Sequence, residues 1–548
     1  MTNDPSVTPA KKSSRVGSAS TSSSAQALLG AAPAEQIAAA IAAEKWARAA
    51  DLLTLNGERL LLDGEQESLV GWLAALPAEH IQKNAKLATL YAWSLVYLQR
   101  YQEALTRLSL AERSLQAMKL ADAAAWRGGE ETSDELELHP HAELEQSIAA
   151  VRAHLASVTG DHAKIPKSVE QIMLPASADH PCWRAAALIT LGRCRYLAGD
   201  LRGAREDLES ALTLASHTRG ARAERIATQA AVLLGRVATA RGSLTEASRH
   251  YEPLLASKDP EARAAAAVGQ AEIALLRHDR EAARAALAVE RPAGADPIAV
   301  TLESGIVSAY LAALDGQHDE ARTALEALEK HLAGMNLRWP GELLQAHRAR
   351  LALLRGDDSA ARRWLQGVSL SAQKHHDRMS PIGAFQIVTK ALVELRTDAA
   401  AALQSAARAL AFGEETGHRV VHLEALVLTG LASHVLGKRD DARSALVAAL
   451  ESARPEGIAR PFLVRLLDEV MGDLGLDDPQ AMALREAAKT LPTPHSTRER
   501  AFTPRPGQVA PGPIETKQAT GAEPTAPSPT AEQPAAPPQG EASATEPR

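Results

Sequence analysis

The densest groupings of chemistry-bearing side chains are His139-Pro140-His141 and His375-His376-Asp377, which are the first places to look for metal or acid–base chemistry. Adjacent residues on a helix or loop point in different directions, so neither group converges on one ion; both read as exposed polar stretches. A Gly-x-Ser-x-Gly elbow, a His-Glu-x-x-His pair and a Cys-x-x-Cys pair are all missing from the sequence, so no motif proposes a hydrolase or a zinc site. The expectation is a chain that is not an enzyme, with no cofactor and no metal. Cys182 and Cys194 are the only two cysteines. They form neither a disulfide framework nor a ligand set, and read as small packing residues in a reducing compartment.

Recognition chemistry is available instead to a row of arginines and aromatics. Trp93, Arg193, Arg236, Tyr310 and Arg350 each follow a small residue at the same place in a recurring helical segment, and Tyr196 and His434 lie one turn further on. Such side chains anchor ligands or partner segments by stacking and by bidentate hydrogen bonding. The plainer reading, ordinary amphipathic residues on a helix surface, stays open at this stage. For the row to act together, successive helices must present the same face to one groove.

The elements that would do this are visible as repeats. One unit reads Leu191-Gly192, Gly199-Asp200-Leu201, Ala204, Leu208 and Ala211; the next reads Leu234-Gly235, Gly242-Ser243-Leu244, Ala247, Tyr251 and Leu254; a third reads Thr429-Gly430, Gly437-Lys438-Arg439, Ala442, Leu446 and Ala449. Weaker copies keep the turn glycine and the following alanine at Gly316/Ala321 and Gly356/Ala361, and a copy near Tyr101 and Ala104 has Gln99 where Gly is usual. This is the tetratricopeptide pattern of paired antiparallel helices. Small residues let the paired helices approach closely, and the turn Gly supplies a left-handed C-cap. The spacing is not a steady one: Gly192 and Gly235 are 43 residues apart, so some helices or connections are longer than the usual repeat.

Composition agrees. Of 548 residues, 45% are hydrophobic but only 3% aromatic, and the apolar fraction is mostly Ala and Leu, which suits helices and disfavours sheets. The predicted fold is all-α: a right-handed α-solenoid of tetratricopeptide-like pairs over residues 26–485. It is flanked by a Ser/Thr/Ala-rich flexible tail at 1–25 and a Pro/Ala-rich one at 486–548, where thirteen of the 30 prolines fall. Asp4, Pro5 and Pro9 interrupt any amphipathic transit helix. Between Arg127 and Glu145 an acidic stretch reads as an exposed insertion. With a formal net charge of −7 and dispersed basic residues, direct nucleic-acid binding is not expected. No apolar run approaches a membrane span, and the reading is a soluble, cytoplasmic protein.

Two segments carry a more specific likeness. Ala42-Ala43-Glu44-Lys45-Trp46-Ala47-Arg48-Ala49-Ala50-Asp51-Leu52-Leu53, running through Asn56-Gly57-Glu58-Arg59-Leu60-Leu61-Leu62-Asp63-Gly64 to Trp72-Leu73-Ala74-Ala75-Leu76-Pro77-Ala78-Glu79, and Arg454-Pro455-Glu456-Gly457-Ile458-Ala459-Arg460-Pro461-Phe462 resemble the start and end of the helical-repeat region in MalT-type regulators, the large ATP-binding branch of the LuxR family. The resemblance spans about residues 35–475. It implies an inducer-sensing solenoid, normally set between an ATPase and a helix-turn-helix. Neither outer part is recognisable here: Gly430 to Lys438, the nearest imitation of a phosphate loop, is a repeat turn with Arg439 in place of the hydroxyl. Ser496-Thr497-Arg498-Glu499-Arg500 resembles the opening of the DNA-binding part but runs into Pro504 and Pro506. The expected function is a sensor or interaction module that takes a small-molecule inducer or a protein segment on its concave face and reaches transcription only through a partner. A general tetratricopeptide scaffold unrelated to transcription is the alternative.

Overall fold

The computed structural model of the protein describes residues 32–126, 141–159, 181–218, 220–289, 298–333, 338–368 and 380–491. Every regular element among them is helical, from Pro33–Ala42 to Pro479–Lys489. None of these helices is long and apolar enough to cross a membrane. The predicted N-terminal tail, the C-terminal tail beyond Leu491, His139, the His375 group and the Ser496–Arg500 segment lie outside the described residues, and so does the side chain of Cys182. Residues 486–489, assigned to the C-terminal tail from the sequence, instead complete the helix Pro479–Lys489, because the run of prolines starts only after it. Of the acidic stretch, residues 127–140 are likewise outside. Glu143 and Glu145 are not loop residues but open the helix Ala142–Thr159, where carboxylates complement the positive end of the helix dipole.

The repeat unit is a helix pair locked by one close contact. The first helices Pro181–Ala198, Ala221–Ala240 and Arg419–Val435 pair with Leu201–Ser216, Leu244–Leu255 and Arg439–Ala453. A Cβ placed on Gly192 would stand 2.6 Å from Leu208, one on Gly235 2.4 Å from the Tyr251 ring, and one on Gly430 2.6 Å from Leu446. The partner sits sixteen residues on in all three cases, so the identical sequence spacing is the signature of one interhelical contact. The turns between helices use the left-handed region, at φ +86° for Gly199, +70° for Gly242 and +76° for Gly437. Gln99 and His278 take the same conformation at φ 58° and 61° without being glycine, which is why their units are faint in the sequence.

A direct consequence concerns Gly235, against which the Tyr251 ring is packed from below. Gly235→Val forces ring or helix to shift, an overpacking cost of about 1–3 kcal/mol. A lowered chemical-denaturation midpoint checks it; an unchanged midpoint contradicts the close contact.

First helices form a continuous inner layer. Pro181–Ala198, Ala221–Ala240, Pro260–Leu276, Ile298–Leu314, Arg338–Arg355, Pro381–Glu394 and Arg419–Val435 each pack on the next, and the last of them also touches Ala221–Ala240. The array therefore curls back on itself after five further units. The chain beyond Ala453 then lies across the enclosed face in two 3-10 turns, Arg454–Glu456 and Arg460–Phe462. It is tied to the first helices by Ala459 N donating to Leu276 O at 2.8 Å, by Arg277 Nε to Glu456 O at 3.0 Å and by Arg465 Nη2 to Leu354 O at 2.6 Å. Phe462, with no exposed surface, anchors the strap in the core.

Candidate functional site

Within the curled inner layer, under the strap, lies a cavity of about 350 Å3, within the range of small-ligand sites. Four of the seven residues singled out from the sequence line it: Tyr196, Arg236, Tyr310 and Arg350. The common register explains the convergence, since each stands at or one turn beyond the residue following the small position of its first helix. Its remaining wall is largely apolar, with Ile306, Val307, Leu343 and Leu353 from the helices and Leu463 from the strap.

The polar groups on this wall are built as an interlocked set rather than as free surface residues. Arg236 Nη2 donates to Glu303 at 2.9 Å, reaching past the intervening helix that carries Glu272. Arg350 does the same three units further on: its Nη1 reaches Glu424 at 2.5 Å, its Nε donates to Thr389 Oγ1 at 2.7 Å, and its guanidinium carbon sits 4.1 Å over the Phe385 ring. Arg460 of the strap stacks at 4.3 Å over Tyr310, whose hydroxyl lies 3.1 Å from His347 Nδ1. The His347 ring in turn packs on Phe385 with centroids 4.5 Å apart. One continuous stack thus runs Arg460, Tyr310, His347, Phe385, Arg350.

Burial sets the charge states here. It holds His347 well below the ordinary imidazole range, with Arg460 and Arg350 adding to the effect, so the ring is neutral. Burial and then the adjacent Glu303 carboxylate push Glu272 up to about 7, against the pull of Arg460 and Arg236. Tyr196 is pushed up by burial beyond any physiological ionisation.

The other three sequence-predicted residues lie elsewhere. Trp93 and Arg193 meet around His154: the indole Nε1 donates to Ser147 Oγ at 3.3 Å, the Trp93 and His154 rings are 6.0 Å apart, and Arg193 Nη1 lies 3.4 Å from His154 Nδ1. His434 faces Asp473 at 3.6 Å and does not line the cavity. Glu272, Glu303, His347 and Phe385 are cavity residues that the sequence does not single out, and Arg460 stands out there only within the family likeness, not as a site residue. A signal existed for Glu272, because it stands six residues before the left-handed turn residue His278, as Arg236 does before Gly242. The turn there is not glycine, so a search for turn glycines passes over the unit.

The family model described as the MalT-like TPR region matches residues 146–465. The match holds all first helices around the cavity and stops within the strap; of the two segments that carry the sequence likeness, residues 454–462 fall inside it and 42–79 outside. Tetratricopeptide repeat protein 36 of Bos taurus is 37% identical over 137 residues, which is 24% of this chain and 66% of that protein, so the chain spans just under two thirds of that relative. Among solved structures, that titled APC/C hetero-tetramer Cut9-Hcn1 matches at 14% identity over 86% of this chain and 99% of its own, with a TM-score of 0.34. Yeast Tom70 matches at 14% identity over 86% and 96%, with a TM-score of 0.32.

Proposed function

Because the chain belongs to the MalT-like TPR-region family, a helical-repeat scaffold, we propose that it is a non-enzymatic sensor module that binds a small ligand inside its curled inner layer and passes the bound state to a protein partner, in the manner of the sensing part of a transcriptional regulator. The observation that carries this reading is the cavity of about 350 Å3 into which four inner-row residues converge, beneath a strap that already covers the groove. A peptide running along the inner row, the alternative, has to displace Arg460–Leu466 from that face first. The small ligand needs no such displacement.

A thermal-shift screen of the full chain against sugars, organic acids, aromatic compounds and nucleotides tests the reading. Saturating a native-state site at about a hundred times Kd stabilises by about 2.7 kcal/mol, a readily measured shift. The expected result is at least one class of compound that raises the melting temperature in the parent and fails to do so in Leu343→Trp, which fills the cavity without touching an ion pair. If no small molecule acts, or if Leu343→Trp responds like the parent, the cavity is not the sensing site and a partner pull-down replaces the screen.

A further inference from the structure

We infer that the N-terminal end of the inner row is a second recognition site, which takes an acidic peptide segment of a protein partner: an Asp or Glu carboxylate on Arg193, with a neighbouring apolar side chain on the Trp93 and Tyr97 rings. The site stands apart from the ligand cavity, which neither Arg193 nor Trp93 lines. It and the sensing reading therefore fail separately.

Arg193 carries the inference. Its half-buried guanidinium makes one polar contact among the described residues, Nη1 at 3.4 Å from His154 Nδ1, and its Nε and Nη2 stay open to the groove. His154 supplies a lone pair and no charge, because burial, and then Arg193 itself, hold the imidazole down to about 3. The nearest strong charge acting on Arg193 has its own sign: Arg236, at the same register on the adjoining first helix. Carboxylates on nearby helices are engaged elsewhere, Glu112 with Arg152, Glu145 with Lys119 and Glu303 with Arg236. A partly desolvated cation without a counter-charge is costly to the free fold, and an arriving carboxylate supplies the missing partner. Planar guanidinium donors suit its two oxygens.

The platform beside it is aromatic and open. Trp93 and Tyr97 lie one turn apart on the helix Ala85–Tyr97 with ring centroids separated by 6.2 Å, and the hydrogen bond to Ser147 fixes the indole. Tyr97 is 40% exposed. Arg225 adds positive charge to the same wall: a Cβ on Gly64 would stand 2.8 Å from its Nη1, and both Arg225 and Arg193 act on the Tyr97 hydroxyl. Tryptophan, tyrosine and arginine are the residue types that dominate protein-binding hot spots. An open wall of this kind cannot engulf a small molecule as a cavity does, so an extended segment fits it better. Charge complementarity makes that segment acidic.

Panning the full chain against a random peptide library displayed on phage tests this. The expected result is enrichment of sequences that place Asp or Glu beside an aromatic or aliphatic residue. A selected peptide, synthesised with both ends blocked, should bind about tenfold more tightly in fluorescence anisotropy than its counterpart with Asn or Gln in place of the acids. Arg193→Gln should erase that difference, whereas Tyr97→Ala should weaken both peptides alike. The unliganded Arg193→Gln protein should melt at or above the parent temperature, because the variant removes a charge that has no counter-ion; an arginine that serves only the fold would lower it. Absence of any enriched sequence, enrichment without acids, or an acid preference that survives Arg193→Gln overturns the assignment and leaves the cavity reading standing.

Discussion

Tyr251→Ala is expected to cost about 3–5 kcal/mol, the largest single-residue effect available in the repeat array. Tyr251 is 1% exposed, and its ring is clasped between the first helices on either side of its own. A Cβ on Gly235 of the preceding first helix, or on Gly269 of the following one, would come to 2.4 Å from that ring. The two glycines are thus two halves of one slot, and the ring that fills it joins one unit to the next. In a solenoid such neighbour contacts supply most of the stability, so a void here weakens the coupling between the N- and C-terminal parts of the array. Contact geometry also sets the sign of a double-mutant cycle. Gly235→Ala, destabilising in the parent, becomes neutral or stabilising in the Tyr251→Ala background because its methyl enters the vacated slot. Urea midpoints of the four proteins measure this; simple additivity would show that the glycine and the ring do not share the site.

The same slot explains how much of this fold a reader of the sequence can recover. A small residue, a turn seven residues later and a large apolar residue nine beyond the turn encode one steric event, and that event recurs wherever the pattern does. Units whose left-handed turn is Gly199, Gly242 or Gly437 declare themselves, because glycine is the residue type that conformation favours. The unit turning at His278 hides, since its left-handed turn residue is not glycine. With it hides Glu272. Register within a unit is local and legible, so the inner row could be enumerated and four of its residues found in one cavity. What was not legible is everything that depends on the curvature of the whole array: that Arg350 reaches Glu424 two units away, and that the segment around Arg460, conspicuous as a family likeness, folds back over the row it follows. Those contacts join residues 74 to 150 positions apart and leave no periodic trace.

At the other end of the inner row, His154 makes stability depend on pH in a direction that can be stated in advance. Burial, and then the Arg193 guanidinium, hold its imidazole down to about 3 in the folded chain, against about 6.5 when unfolded. The unfolded state therefore binds a proton that the folded state refuses, so the stabilisation is complete above pH ~6.5 and is lost progressively as pH falls towards ~3. The slope from this one residue approaches about 1.4 kcal/mol per pH unit within that window. Other buried groups titrate in the same range with both signs: His418, held down to about 4 by burial, adds to the loss, while Asp207, raised by burial to about 6, and Glu272 oppose it. They are common to parent and variant, so a difference measurement removes them. His154→Gln keeps a hydrogen-bonding group beside Arg193 and loses the titration. It should be the less stable protein at pH 8, and its disadvantage should shrink by roughly 1 kcal/mol for each unit of pH between 6 and 4. Parallel pH profiles for the two proteins would mean that His154 titrates alike in the folded and unfolded chain, which is incompatible with a neutral ring packed between Trp93 and a guanidinium at the start of the inner row.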